Sequence, residues 1–374
     1  MEQRFGQSPL YSLGVEEEFQ ILGRESHELV SRIDEILLAA DADEEREGHV
    51  KPELLQSVVE VATKVSGTVG EALDALARLR AHLRDVASES DSLIASAGTH
   101  PFSLTEHQDV TDHPRYQKLA GDMRWVAEQE LIFGLHVHVG LDTPDKAIAC
   151  ANAARTYLPE LLALSVNSPF WQARPTGIAS TRVKVFDAFP RSGLPPAFAS
   201  FEEFELLVDR GIRTNSFPDY TYIWWDLRPH PRLGTIEFRT CDAQTRLDAV
   251  AVLVALTQSL VATLAEAFEA GETLPVQPIT LVAENKWRAA RDGLHAELID
   301  LEHDSERPAP EALRALADRC LPAARRLSCE EELGRLDELL ARGTGADEQV
   351  SLYEETDSLL AVARWIAQET VRGL

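Results

Sequence analysis

The sequence predicts an α+β fold, with helices packed on one face of a mainly antiparallel sheet. Three observations carry this. Residues 12–22, 131–141 and 233–241 alternate between apolar and polar side chains with the period of a strand. Helical spacings lie between and after them. From about residue 281 onward the chain is helical and rich in Glu, Arg and Leu. Because strands are spread over residues 12–241, the 374 residues read as one domain, 1–374, with a helical C-terminal region.

The elements follow in order. Residues 12–22 form the first strand. Residues 27–40 and 68–97 have helical spacing, the second marked by Leu73, Leu76, Leu79, Leu83 and Val86. Residues 93–98 are small and apolar and read as a short strand ending in Gly98-Thr99-His100-Pro101. After the strand 131–141, Thr143 is an N-cap and Pro144 opens a helix to about Ser165. Five prolines between 168 and 200 make that segment mostly loop, and Arg174, Arg182, Lys184 and Arg191 make it basic. The strand 233–241 precedes a helix over 245–270. Trp224 and Trp225 read as core packing. The tail after 281 either packs against the sheet or forms a homodimer contact.

Charge narrows the function. Lys and Arg total 36 against 62 Asp and Glu, a formal net charge of −26. Such a body repels nucleic acid and anionic membrane surfaces, so a phosphate compound must be received by local cations. The cysteines, Cys150, Cys241, Cys320 and Cys329, form no C-x-x-C pair and read as reduced thiols. The first residues, MEQRFGQSPLYS, lack a signal-peptide pattern. Polar residues interrupt the apolar run from Ala249 to Phe268, which reads as a buried core helix. A cytoplasmic protein is expected. No P-loop and no G-x-G-x-x-G occurs, which disfavours the common nucleotide folds.

Each strand presents one chemical face. In 12–22, Leu13, Val15, Phe19 and Ile21 share a parity and Glu16, Glu18 and Gln20 the other, while Glu17 breaks the pattern. In 131–141, Gly134, His136, His138 and Gly140 oppose five apolar residues. In 233–241, Thr235, Glu237 and Arg239 oppose Ile236 and Phe238. A solvated sheet face needs no function. This face, however, gathers metal-ligand types, and its glycines leave room for close approach. Clustered carboxylates repel unless a cation or protons compensate. The excess of Glu over His favours Mg²⁺ or Mn²⁺ over Zn²⁺. Glu60 lies inside an apolar run, where an unpaired charge is costly. By spacing alone, Glu53 is as readily a surface or capping residue.

Six motifs in order carry a resemblance. They are Gly14-Val-Glu-Glu-Glu-Phe19, Pro52-Glu-Leu-Leu-Gln56, Gly98-Thr-His-Pro-Phe102, Gly134-Leu-His-Val-His-Val-Gly140, Pro190-Arg-Ser-Gly-Leu-Pro-Pro196 and Gly234-Thr-Ile-Glu-Phe-Arg239. Together they resemble the bacterial carboxylate–amine ligase branch of the glutamate–cysteine ligase superfamily, from about residue 10 to 370. The resemblance implies a catalytic domain like that of glutamine synthetase: a curved antiparallel sheet whose concave face holds ATP and Mg²⁺. It implies that Glu16, Glu18, Glu53, Glu60, His136 and Glu237 form the Mg²⁺ and phosphate shell, with His138 on the same face. It makes Arg239, with Glu237, catalytic, as a cation for the γ-phosphate or acyl-phosphate. Arg174, Arg182 and Arg191 become candidates for phosphate or substrate carboxylate. His100 either contacts substrate or is a structural histidine.

The implied reaction joins an amino-acid carboxylate, the γ-carboxylate of glutamate first among them, to an amine such as cysteine through an acyl-phosphate. Two alternatives stand beside it. One is a metallohydrolase built on His136-x-His138 and the carboxylates. The other is a non-catalytic nucleotide- or metal-binding protein.

Overall fold

The structure, a computed structural model, describes residues 1–40 and 48–374. Its sheet has strands β1 (Leu13–Gly23), β2 (Gly48–Pro52), β3 (Val58–Thr63), β4 (Ser92–Ala95), β5 (Gly134–Gly140), β6 (Leu227–His230) and β7 (Thr235–Asp242). The order is β6-β7-β5-β1-β3-β2, and β4 pairs with the C-terminal part of β1. Every pairing is antiparallel. The α+β expectation therefore holds, and the three predicted strands β1, β5 and β7 are neighbours at its centre.

The helices used below are α1 (Ile33–Ala40), α2 (Val69–Glu89), α3 (Pro144–Ala154), α4 (Leu158–Ser165), α5 (Thr181–Phe186), α6 (Leu247–Glu269), α7 (Ile279–Asp292), α8 (Ala309–Arg326) and α9 (Leu359–Thr370). Three differ from expectation. The helix expected over 68–97 stops at Glu89, where Asp91 at φ 49° turns the chain into β4. The helix expected from Pro144 to Ser165 breaks at a 3₁₀ turn over Arg155–Tyr157, because Pro159 has no N–H to continue the ladder. The tail contains a hairpin, Glu297–Asp300 with Ser305–Pro308, as well as helices. Within the tail α8 lies on α6 and α7 on α4, and α9 packs against β4 of the sheet.

One buried cluster runs from Phe5 to Leu339. It takes Leu13, Val15, Phe19 and Ile21 of β1, Leu135, Val137 and Val139 of β5, and Ile236 and Phe238 of β7. Against them lies α6, the one helix among the described residues long and apolar enough to cross a membrane, buried here over most of its length. Each such side chain removed from water contributes roughly 1.5–3 kcal/mol. Burial of the apolar parity leaves the other parity of all three strands on the opposite face.

Glu17 points into the core and is 1% exposed. Arg80 of α2, fully buried, donates Nε to its Oε2 at 2.9 Å and Nη2 to its Oε1 at 2.6 Å. The remaining Arg80 donors reach the carbonyls of Gln244 (2.8 Å), Thr245 (3.0 Å) and Thr370 (3.3 Å). The guanidinium also lies 5.3 Å from the Phe19 ring centroid. One side chain thus ties β1, α2, the entry to α6 and the end of α9. Truncating it strands a buried carboxylate, a loss of about 3–5 kcal/mol. Arg80→Met should lower unfolding stability by that amount in urea titration, and adding Glu17→Leu should restore a large part of it. An unchanged midpoint for Arg80→Met would refute the role.

Candidate active site

Register builds the polar face. Glu16 pairs with His136 on one side and Ala62 on the other. Glu18 lies opposite Glu60, and Glu60 opposite Lys51. His138 lies opposite Gly14 and Glu237, and Glu237 opposite Arg228. Side chains opposite one another on neighbouring strands stand about 5 Å apart at Cβ, so these residues meet without help from loops. Beside β3, Glu53 is brought in by a strap: Thr111 Oγ1 donates to the Glu53 carbonyl (2.6 Å) and Tyr116 Oη to that of Pro52 (2.7 Å).

Three sets of donor atoms result, each with all its atoms within 4.8 Å of one another: Glu16, His138 and Glu237; Glu16, Glu60 and His136; Glu18, Glu53 and Glu60. Glu16 joins the first two and Glu60 the last two. The convergence takes in every residue expected to hold a metal. It also gives His138 a place equal to that of His136.

The charges are compensated unevenly. Lys51 Nζ lies 2.9 Å from Glu60 and 3.7 Å from Glu16. Glu237 is clamped by Arg228, with Nε at 2.8 Å and Nη2 at 2.7 Å, and by Arg239 Nη1 on its other oxygen. Burial would raise the Glu16 carboxyl, but the imidazoles of His136 and His138 beside it hold it well below the usual range. Burial likewise opposes ionisation of Glu237, and Arg228 and Arg239 hold it well below that range. At the other end, burial and the Glu16 carboxylate push Glu60 up to about 7. Burial, Glu60 and Glu18 push Glu53 well above the usual range.

Both ring nitrogens of His136 and Nε2 of His138 are buried without a hydrogen-bond partner. His136 Nδ1 is 3.5 Å from Glu16, and His138 Nε2 is 3.7 Å from Glu16 and 3.9 Å from Glu237. A buried unpaired polar group costs roughly 1–3 kcal/mol, so imidazoles left facing carboxylates fit a site shaped for a cation. The oxygen-rich donor set suits a hard divalent ion. The His138 ring is fixed by its Nδ1 contact with Thr235 Oγ1 at 3.0 Å.

The loop residues divide. Arg182 is 4% exposed and reaches the face beside His136: a methyl group at Gly134 would sit 2.3 Å from Arg182 Nη2 and 2.9 Å from His136 Nε2. Arg191 donates Nε to the Tyr222 carbonyl at 2.8 Å, lies over Phe217 and Trp224, and lines a separate cavity of about 570 Å³. Arg174 is exposed in a two-residue ladder with Trp171. The structure does not bring these two to the carboxylates. His100 also falls outside. Its Nδ1 accepts from Phe102 (3.2 Å) and Ser103 (2.9 Å), and its Nε2 meets the His27 carbonyl at 2.9 Å. With both nitrogens engaged and burial pushing its pKa down to about 4, it sits as a neutral loop anchor, the second of the two readings given for it.

Four site residues escaped the sequence reading. Lys51 and Arg228 depend on strands β2 and β6, which are short and carry Pro52 and Pro229. Glu130 sits near Glu18, Arg239 and Arg182, with one oxygen buried and unpartnered. Burial and Glu18 push it up to about 8. It precedes β5 and carries no strand signal. Asp242 was hidden by a bulge. Phe238 pairs with Val137 but Cys241 with Leu135, so β7 has one residue more than β5 there.

Comparison with known proteins agrees with this fold. The family model described as glutamate–cysteine ligase family 2 matches residues 12–364. A Rubrobacter xylanophilus protein provisionally named glutamate–cysteine ligase 2-3 is 46% identical over 370 residues, covering 99% of this chain and all of the relative (100%). A Sorangium cellulosum protein provisionally named glutamate–cysteine ligase 2 is 40% identical over 364 residues, 97% of each chain. Among solved structures, the glutamate–cysteine ligase of Francisella tularensis in complex with AMP superposes with a TM-score of 0.70 at 14% identity, covering 98% of this chain and 90% of that one. The bifunctional glutathione synthetase of Pasteurella multocida gives 0.67 at 14% identity, covering 97% of this chain and 51% of that one. None of these relatives points to hydrolase chemistry. By sequence match along nearly its whole length, the chain belongs to glutamate–cysteine ligase family 2.

Proposed function

We propose that this protein is an ATP-dependent carboxylate–amine ligase that forms an amide through an acyl-phosphate. The observation that carries the reading is the run of three donor sets sharing Glu16 and Glu60, bordered by Arg239 and Arg182, on one sheet face. A carboxylate resists attack by an amine because oxide is a poor leaving group. In the first step a carboxylate oxygen of the acid attacks the γ-phosphorus of ATP and ADP departs. In the second the amine nitrogen attacks the acyl carbon, phosphate leaves, and the nitrogen loses its extra proton.

Glu16, Glu18, Glu53, Glu60 and His136 would hold Mg²⁺ or Mn²⁺, with His138 and Glu237 at one end. When bound, the ion neutralises phosphate charge that the transferring group spreads over its oxygens. Arg239 is kept charged and oriented by Glu237, ready to meet the phosphoryl group. Glu237 itself is taken by two guanidinium groups, so holding Arg239 is its first task and metal ligation its second. Arg182 adds a cation on the His136 side. The names of the relatives make glutamate and cysteine the first acid and amine to try. The four cysteines are free and buried, which supports a reducing, cytoplasmic setting.

ADP release should require Mg²⁺ and an acid, an amine should accelerate it, and ¹⁸O from the labelled acid should appear in phosphate. ADP release that needs no acid, or phosphate free of label, would sink the acyl-phosphate route. Glu16→Gln removes a donor shared by two sets. It should cut turnover by about 100-fold or more while leaving the far-ultraviolet circular dichroism unchanged.

Metal binding should also depend on pH in a defined direction. Glu60 titrates at about 7 and is protonated below that pH, whereas ligation needs the carboxylate. Mg²⁺ affinity should therefore rise from about pH 6 to about pH 8, with proton release, approaching tenfold per unit on the acid side. Calorimetry in two buffers of different ionisation heat measures the release. A Glu60→Gln protein that releases as many protons as wild type would refute the assignment.

A further inference from the structure

Asp242 ends β7 opposite Gly134 and is fully buried. Strict alternation from Ile236 and Phe238 would turn it into the apolar core. The extra residue between Phe238 and Cys241 restores Cys241 to the core and brings Asp242 to the polar side. There its carboxylate accepts three hydrogen bonds. Oδ2 takes the Asn167 N–H (2.8 Å) and Ser168 Oγ (2.6 Å), and Oδ1 takes Ser180 Oγ (2.9 Å). Ser168 and Ser180, both fully buried, belong to the basic loop, and Asn167 immediately precedes it.

These donors lead to one side chain. Ser168 Oγ, while donating to Asp242, accepts the backbone N–H of Arg182 at 3.1 Å. Ser180 caps α5, the short helix whose second residue is Arg182. The Arg182 guanidinium then runs back along β7, donating to the carbonyls of Thr240 (3.4 Å) and Arg239 (3.2 Å), and its Nε is buried without a partner. Gly98 completes the cradle, because a methyl group there would lie 2.6 Å from the Asp242 carboxyl carbon.

We propose that Asp242 is a positioning residue: through Ser168 and Ser180 it fixes the loop that places the Arg182 guanidinium beside His136, where nucleotide phosphate is received. The phosphate role of Arg182 rests on the ligase reading above. The mechanical link from Asp242 to Arg182 rests on these hydrogen bonds alone.

A double-mutant cycle on nucleotide affinity tests it, with the full chain, Mg²⁺ and a non-hydrolysable ATP analogue titrated in a calorimeter. Arg182→Ala should weaken binding by about tenfold or more, the effect of losing a charged hydrogen bond. Asp242→Asn keeps the shape and should weaken binding by a smaller factor of the same sign. The double variant should bind no worse than Arg182→Ala, because Asp242 acts only through Arg182. Effects that multiply in the double variant, or Asp242→Asn binding like wild type, would overturn the proposal. So would Arg182→Ala binding like wild type. If Asp242→Asn fails to fold, Ser168→Ala takes its place in the same cycle, since it removes only the hydroxyl between Asp242 and the Arg182 N–H. Wild type that binds the analogue yet releases no ADP with any acid and amine defeats the ligase reading and leaves the cycle readable. Wild type that binds no analogue defeats both.

Discussion

Mutual repulsion among carboxylates is the constraint around which the polar face is arranged. Glu16, Glu18, Glu53 and Glu60 stand close enough to share ligand positions; Glu60 is buried and the other three half-buried. Such a group is stable only if positive charge or protons are supplied. The chain does both. Lys51 is laid across Glu16 and Glu60, and Arg228 and Arg239 close on Glu237. Where burial and neighbouring carboxylates outweigh the cations, at Glu53 and Glu130, the carboxyl is driven toward its neutral form. The result is a graded face, with ionised carboxylates at the Glu237 end and carboxyls that must lose protons at the Glu53 end.

The two faces of β1 solve opposite problems. Glu16 and Glu18 face the site, where Lys51 lies 3.7 Å from Glu16 and the Gly134 N–H donates to Glu18, whereas Glu17 is wholly satisfied toward the core. Its partner Arg80 uses every donor it has and touches segments more than 200 residues away in sequence, through Thr370. A central strand with three consecutive glutamates is otherwise an improbable core element. Here the middle one is a rigid strut that keeps the outer two in register with His136 and Glu60.

Much of this was legible in the sequence because it depends on parity. Leu13, Val15, Phe19 and Ile21 fixed the buried side of β1, and the glycine-flanked histidines did the same for β5. What parity cannot give is partner identity. That Lys51 faces Glu60 and Arg228 faces Glu237 follows from hairpin register, and β2 and β6 are too short, with prolines inside, to announce themselves. Glu53 and Glu130 come from segments flanking strands, where no period applies. Arg174, Arg182 and Arg191 were alike as loop arginines. Only the hydrogen bonds that seat the loop on Asp242 separate the one that reaches the site from the two that do not.

The bulge in β7 has a consequence for how the segment tolerates change. It lets one strand present Glu237 and Asp242 on the same side, five residues apart, although an uninterrupted ladder would set them on opposite sides. Substitutions at Thr240 leave that geometry in place. Loss or gain of a single codon between 239 and 240 would rotate everything beyond it by half a turn, swinging Asp242 into hydrocarbon and Cys241 out of it. The motif is thus a vernier: its chemistry is carried by residue type, but its alignment is carried by residue number.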